Sequence, residues 1–310
     1  LRRQRQMCIR DSYTIRVVRL PLSGAVLGID VGFSAREPSS GFCLLWWDSQ
    51  RVNWAFDLAG KDAAERKAAI RNLTRKSSDL CAVGVDGPLR PQLHWVKSYR
   101  AAEALLSAGK FQKRGKPGQT NTPVGSRLHE HATILAQMAL EECSVARGEW
   151  PFAILLEAVC EAFPNLFLGV LHDERGYPEP SEARRKWTDL LYPRVRPRLE
   201  SLVADLLPER QVLGNWSITG HDHIGAFVCA LTALAYAAGR FVAVGSDADA
   251  FIILPPSEYW GLGDQAAGQR WAERELLVAL PKVRARFASA RIQWRESVVG
   301  HSAADQVDPR

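Results

Sequence analysis

Two short apolar runs constrain this chain more than anything else in it. AVLGID, Ala25–Asp30, and CAVGVDGP, Cys81–Pro88, both carry an aspartate at their end with a glycine close behind. Both read as buried strands, the first stopped by Gly32 and the second by the Gly87–Pro88 breaker. Between them, GFCLLWWD (Gly41–Asp48) and VNWAFDL (Val52–Leu58) read as further strands. The turn at Arg36–Gly41 and the short connections predict an antiparallel meander of three strands. Lys61–Lys76 has helical spacing, with Ala64, Ala68 and Leu73 set among charges. A strand reached through a helix is expected to run parallel to the first. Asp30 and Asp86 then meet at one edge of the sheet.

The remainder continues as α/β. Trp95–Ala108 predicts a helix, Lys110–Arg127 a loop and Leu128–Cys143 a helix. Phe152–Phe163, bounded by Pro151 and Pro164, is expected to be a strand. Glu182–Leu191 and Arg198–Leu207 have helical character. Asp222–Ala238 is the strongest helix, with Ile224, Phe227, Val228, Leu231, Leu234 and Ala235 recurring at three and four. Phe241–Val244 and Phe251–Leu254 read as late strands, and Trp271–Phe287 as a last amphipathic helix. The prediction is a mixed sheet, three antiparallel strands plus parallel ones, flanked by helices in one domain over residues 13–296. The residues from Ser297 onward are expected to be a disordered tail.

A carboxylate at the end of a buried strand is costly unless it is paired, hydrogen-bonded or bound to a cation. Two such groups side by side repel, and a divalent cation removes the repulsion. Hard ions such as Mg²⁺ or Mn²⁺ favour such oxygen ligands. Asp30 and Asp86 are therefore candidate metal ligands and catalytic residues; capping the turns before Gly32 and Gly87 is the other role open to them. Asp222, in the string Gly220–His223, is a candidate third ligand. It could equally close a capping box with Thr219 and suit the helix dipole. His221 and His223 read as ligands, proton shuttles or solvated side chains. Glu157 and Glu161 would share one face of a strand, and Glu161 is the candidate to approach the metal.

Charge adds a second candidate element. Lys110–Arg127 contains Lys110, Lys113, Arg114, Lys116 and Arg127 and no acid. Such a loop can present cations to a phosphate backbone, or it can be a solvated surface. It is no P-loop, because GxxxxGK[ST] is missing. Lys113, Arg114, Lys116 and Arg100 are the candidate substrate-binding cations, and nucleic acid is the expected partner. The net charge of +6 adds little, because Leu1–Ser12 carries Arg2, Arg3, Arg5 and Arg10 against Asp11 alone. That leader is similar to translated sequencing-adapter read-through and is expected to be non-native. No run of about 18 apolar residues exists, so no membrane helix is expected. Six scattered cysteines without a CxxC pair predict buried thiols in a reducing, cytoplasmic setting.

The strings GIDVGFSAREPSSGFCLL, VGVDGPL, FQKRGKPGQTNTPVGSRLHEHAT, EAFPNLFLGVL, HDHIGAFVCALTALAYAAGR and ILPP resemble domain-of-unknown-function family 429, predicted nucleases of ribonuclease H-like fold. The resemblance runs from about Val26 to Trp260. It implies a divalent-metal nuclease-like site at Asp30, Asp86, Glu161 and Asp222. Sequences of this kind often carry a further acid three residues after the position of Asp222, where this chain has Gly225. The leading expectation is Mg²⁺- or Mn²⁺-dependent hydrolysis of phosphodiester bonds, with Asp30 bridging two ions and Asp86 and Asp222 each holding one. Two others stand beside it: an actin-like ATPase or kinase, suggested by GIDVG and VGVDG, and a non-catalytic scaffold of the same fold, suggested by Gly225.

Overall fold

A computed structural model describes residues 20–34, 37–75, 77, 79–95, 98–115, 117–178, 187–264 and 268–295. The expected leader, the C-terminal tail, Arg36, Lys116 and the first half of the helix expected over Glu182–Leu191 lie outside the described residues.

In chain order the elements begin with β1 (Gly24–Asp30), β2 (Ser40–Trp47), β3 (Arg51–Ala59), α1 (Ala63–Thr74), β4 (Asp79–Leu80) and β5 (Ala82–Asp86). There follow α2 (Ala101–Leu105), α3 (Pro123–Glu142), β6 (Ser144–Val145), β7 (Val159–Ala162), α4 (Pro164–Leu171) and α5 (Trp187–Leu206). The last are β8 (Gln211–Val212), α6 (His221–Ala237), β9 (Phe241–Ser246), β10 (Ala250–Leu254), α7 (Trp271–Arg284) and β11 (Arg291–Arg295). Among the described residues nine strands form one mixed sheet in the order β11-β9-β10-β7-β5-β1-β2-β3-β8. The meander β1–β2–β3 is antiparallel, and β5 and β7 run parallel to β1. β4 and β6 pair apart from it. No helix among the described residues is long and apolar enough to cross a membrane.

Alternation along the strands splits the core into layers. Ala25, Leu27, Ile29, Val83 and Val85 face α1 and α3. Val26, Cys43, Leu45, Ala82 and Cys160 face α4, α5 and α6. A third cluster joins α2 and α7 to β9 and β10. The helix α6 sits on the sheet at unusually short range. A Cβ on Gly28 would lie 2.1 Å from the Ala226 carbonyl oxygen, one on Gly84 2.2 Å from that of Cys229, and one on Gly41 2.2 Å from that of Asp222. Three neighbouring strands thus give up side chains beneath one helix. Gly28→Ala forces backbone to move and is expected to cost about 1–3 kcal/mol. Urea denaturation of the variant measures this, and an unchanged midpoint would contradict the close contact.

Several expected elements are corrected. The helix over Trp95–Ala108 is only Ala101–Leu105, because Arg100 is extended at its N-cap and the turn through Gly109, at φ 52°, follows closely. The loop over Lys110–Arg127 is partly helical: α3 starts at Pro123, with the Thr122 hydroxyl accepting from the Gly125 N–H. The strand over Phe152–Phe163 is confined to Val159–Ala162, since the chain folds back so that the Ile154 N–H donates to the Val159 carbonyl. Glu157 therefore lies outside that strand, opposite Arg147 in an isolated bridge. α4, β8 and β11 were not anticipated.

Candidate metal centre

The pairing of β1 with β5 sets Ile29 beside Val85, which brings Asp30 and Asp86 together one residue further on. Both continue the α6-facing sides of their strands, Val26–Gly28–Asp30 and Ala82–Gly84–Asp86. Asp30 is buried, 7% exposed. Above them α6 begins after Gly220, whose φ of 89° turns the chain, with no side-chain cap. Gly220 is thus the N-cap residue, and Thr219, the alternative capping partner for Asp222, lies one residue before it. Asp222 stands in the first turn. One carboxylate oxygen each from Asp30 and Asp222 and a ring nitrogen of His221 lie within 4.8 Å of one another. Gly225, one turn further along, is where the helix backbone meets Asp30: a Cβ there would lie 2.5 Å from the Asp30 carboxyl. In this chain the Asp30 side chain occupies the space that a larger residue at 225 would need.

The electrostatics follow from crowding. Burial pushes the Asp30 carboxyl well above the ordinary carboxylate range, and the neighbouring Asp86 and Asp222 push it further. Asp86 is raised to about 7, again chiefly by burial, with Glu161 adding to the rise and the contact with Asp30 opposing it. Burial and the crowding of like charges therefore both disfavour ionisation of Asp30 when no cation is bound. Asp86 Oδ1 is buried with no hydrogen-bond partner. Asp30, Asp222 and His221 within reach of one ion, with the unsatisfied buried oxygen of Asp86 lining the same cleft, offer donors that fit a divalent cation.

Because the raised groups hold protons that the unfolded chain has released above about pH 4, the metal-free fold loses their contribution as pH rises through their folded values. Burial lowers the titration of His129, His131 and His172, an opposite trend that cancels between wild type and variant. In EDTA, the melting temperature of Asp30→Asn relative to wild type should therefore climb from pH 5 to pH 8. A difference that stays constant with pH would contradict the strained pair.

These acids line an open cleft of about 500 Å³, together with Val31, Gly32, Phe33, Ser39 and Arg127. One wall is pinned from behind. The buried Arg66 donates to the Gly32 carbonyl at 2.7 Å and to that of Gly60 at 3.0 Å. Phe33 stacks on His131, ring centroids 5.6 Å apart, with the Arg127 guanidinium 5.8 Å from its ring.

Two expected site residues sit elsewhere. Glu161 pairs with Val85, not with Asp86, so alternation sends its side chain to the opposite face. There both oxygens accept from Arg100, at 2.7 Å each, and one accepts from the Leu89 N–H at 2.9 Å. Arg100, expected to grip phosphate, is itself buried between Glu161 and Glu103. A guanidinium with two carboxylates and no solvent access is a structural ion pair and is unavailable to substrate.

The basic loop is also placed differently. Lys113 is exposed in a short turn, Gly109–Lys113, and does not line the cleft. Arg114 lies over Tyr177 and Trp271, 4.6 and 5.0 Å from the ring centroids, and donates to the Glu174 carbonyl. Lys110 pairs with Glu174. Acids distant in sequence thus compensate a segment that has none of its own. Lys116 lies outside the described residues. Among the described residues of the run, Arg127 is the one that lines the cleft, carried there by the first turns of α3. Thr122–Pro123, an N-cap followed by proline at the first helical position, was the available signal for that helix start.

No family model, curated protein or solved structure matches the chain.

Proposed function

We propose that the chain is a divalent-metal-dependent hydrolase of phosphodiester bonds in nucleic acid, a ribonuclease H-like protein of the kind grouped in domain-of-unknown-function family 429. The observation that carries this reading is the convergence of Asp30, Asp86 and Asp222 at the floor of one open cleft. Support for the fold comes from the central strand order β3-β2-β1-β5-β7, in which β2 alone is antiparallel. The unpaired thiols of Cys43, Cys81, Cys143, Cys160 and Cys229 support a reducing, cytoplasmic setting.

Asp30, Asp86 and Asp222 would hold the ion, either Mg²⁺ or Mn²⁺. When bound, it supplies Lewis acidity, generating a nucleophile from water and offsetting charge in the transition state. The chain's own contribution is placement. The sheet edge fixes Asp30 and Asp86, α6 brings Asp222 down onto them, and Arg127 offers a cation to a phosphate entering the cleft. Phe33, backed by His131, gives that entrance an apolar wall.

Labelled single-stranded, duplex and hybrid DNA and RNA, incubated with Mn²⁺, test the proposal. Wild type should cleave at least one of them, and Asp30→Asn and Asp86→Asn should fall to background. Arg127→Ala should weaken binding and reduce its salt slope by close to one unit. Cleavage that survives in both Asn variants would sink the reading.

A further inference from the structure

We infer that His221 is a ligand of the same centre, which makes the site selective for a first-row transition ion such as Mn²⁺ over Mg²⁺. The inference rests on the metal-site reading above and adds to it the identity of the ion.

A His221 ring nitrogen is within 4.8 Å of carboxylate oxygens of both Asp30 and Asp222, close enough for one ion to be shared by all three. His221 also lines the cleft that holds Asp86. Exposure grades outward from the buried Asp30 through Asp222 to the exposed His221. The carboxyls thus form the floor and the imidazole the mouth of the same cavity. The buried, unpartnered Asp86 Oδ1 points independently to a missing cation. His223, two residues along, packs its ring on Phe56, centroids 5.1 Å apart, with its Nδ1 3.3 Å from the Thr219 carbonyl oxygen, and it is absent from the group of residues within reach of one ion.

Ligand chemistry then decides the ion. Mg²⁺ favours oxygen donors and retains its waters. An imidazole nitrogen suits the first-row transition ions, whose affinities for mixed nitrogen and oxygen sites rise along the series from Mn²⁺. A centre of carboxylates alone would show little such preference; one imidazole added to it introduces one.

Electron paramagnetic resonance on the full chain tests this with Mn²⁺ as the probe and Mg²⁺ as competitor. Wild type should bind Mn²⁺ about tenfold or more tightly than Mg²⁺. Spin-echo spectra of the bound Mn²⁺ should show coupling to an imidazole nitrogen. His221→Ala should abolish that coupling and weaken Mn²⁺ by about tenfold or more, with the Mg²⁺ affinity little changed. His223→Ala should leave both as in wild type. Mn²⁺ binding that is lost in Asp30→Asn but unchanged in His221→Ala overturns this inference and leaves the carboxylate site standing. Failure of wild type to bind either ion overturns the metal reading itself, and this inference with it.

Discussion

Arg100→Met is expected to lower the unfolding free energy by about 3–5 kcal/mol at neutral pH. Arg100 is 1% exposed and is held by three carboxylate contacts of 2.7–2.8 Å, two from Glu161 and one from Glu103. Burial alone would lower its pKa, but Glu161 and Glu103 more than offset this and raise it. Removing the guanidinium leaves two buried acids without their cation. Glu161 is already raised by burial, with Arg100 opposing that rise; without Arg100 it should rise further. A raised acid stabilises the fold below its folded pKa and loses that contribution above it. The variant's deficit should therefore be greatest near pH 8 and shrink toward pH 5. Adding Glu161→Gln should recover part of the loss. Chemical denaturation across this range measures both effects, and a deficit below about 1 kcal/mol at pH 8 would contradict the structural role assigned to Arg100.

Mn²⁺ should raise the thermal stability of wild type and leave Asp30→Asn unmoved. A ligand that binds only the folded state adds about 2.7 kcal/mol at a hundred times its dissociation constant. For a chain of this size that is several degrees. Asp30→Asn keeps the shape of the side chain but removes the central donor, along with the repulsion from Asp86 and Asp222. Without metal the variant should thus melt above wild type at pH 8, and with saturating Mn²⁺ the order should reverse. An Asp30→Asn variant that retains the full response would remove Asp30 from the centre.

The central strands were legible because their chemistry is local. Ala25–Asp30 and Cys81–Pro88 combine an apolar run with its own breaker, and the apolar spacing of Ile224–Ala235 marks a buried helix. The placement of Asp30 and Asp86 followed from those runs and the handedness of the connection. What escaped depended on partners distant in sequence. Lys110–Arg127 looked uncompensated because Glu174 and Glu275, which meet Lys110, belong to other segments. Glu161 looked like a ligand until register with Val85 turned it away. Arg100 is an ordinary surface residue by type; only the burial of Glu161 and Glu103 beside it gives it an interior role. β11, with the sequence RIQWR and half-buried throughout, has little of the alternation that betrays a strand. The closeness of α6 was hidden for another reason. Gly28, Gly41 and Gly84 are informative only once three strands are aligned beneath one helix.

The most direct measurement is an anomalous difference map from crystals of the full chain soaked in Mn²⁺. A manganese peak is expected in the cleft, bonded to carboxylate oxygens of Asp30, Asp86 and Asp222 at about 2.1 Å. An empty cleft, or manganese found only at surface acids elsewhere, would contradict it.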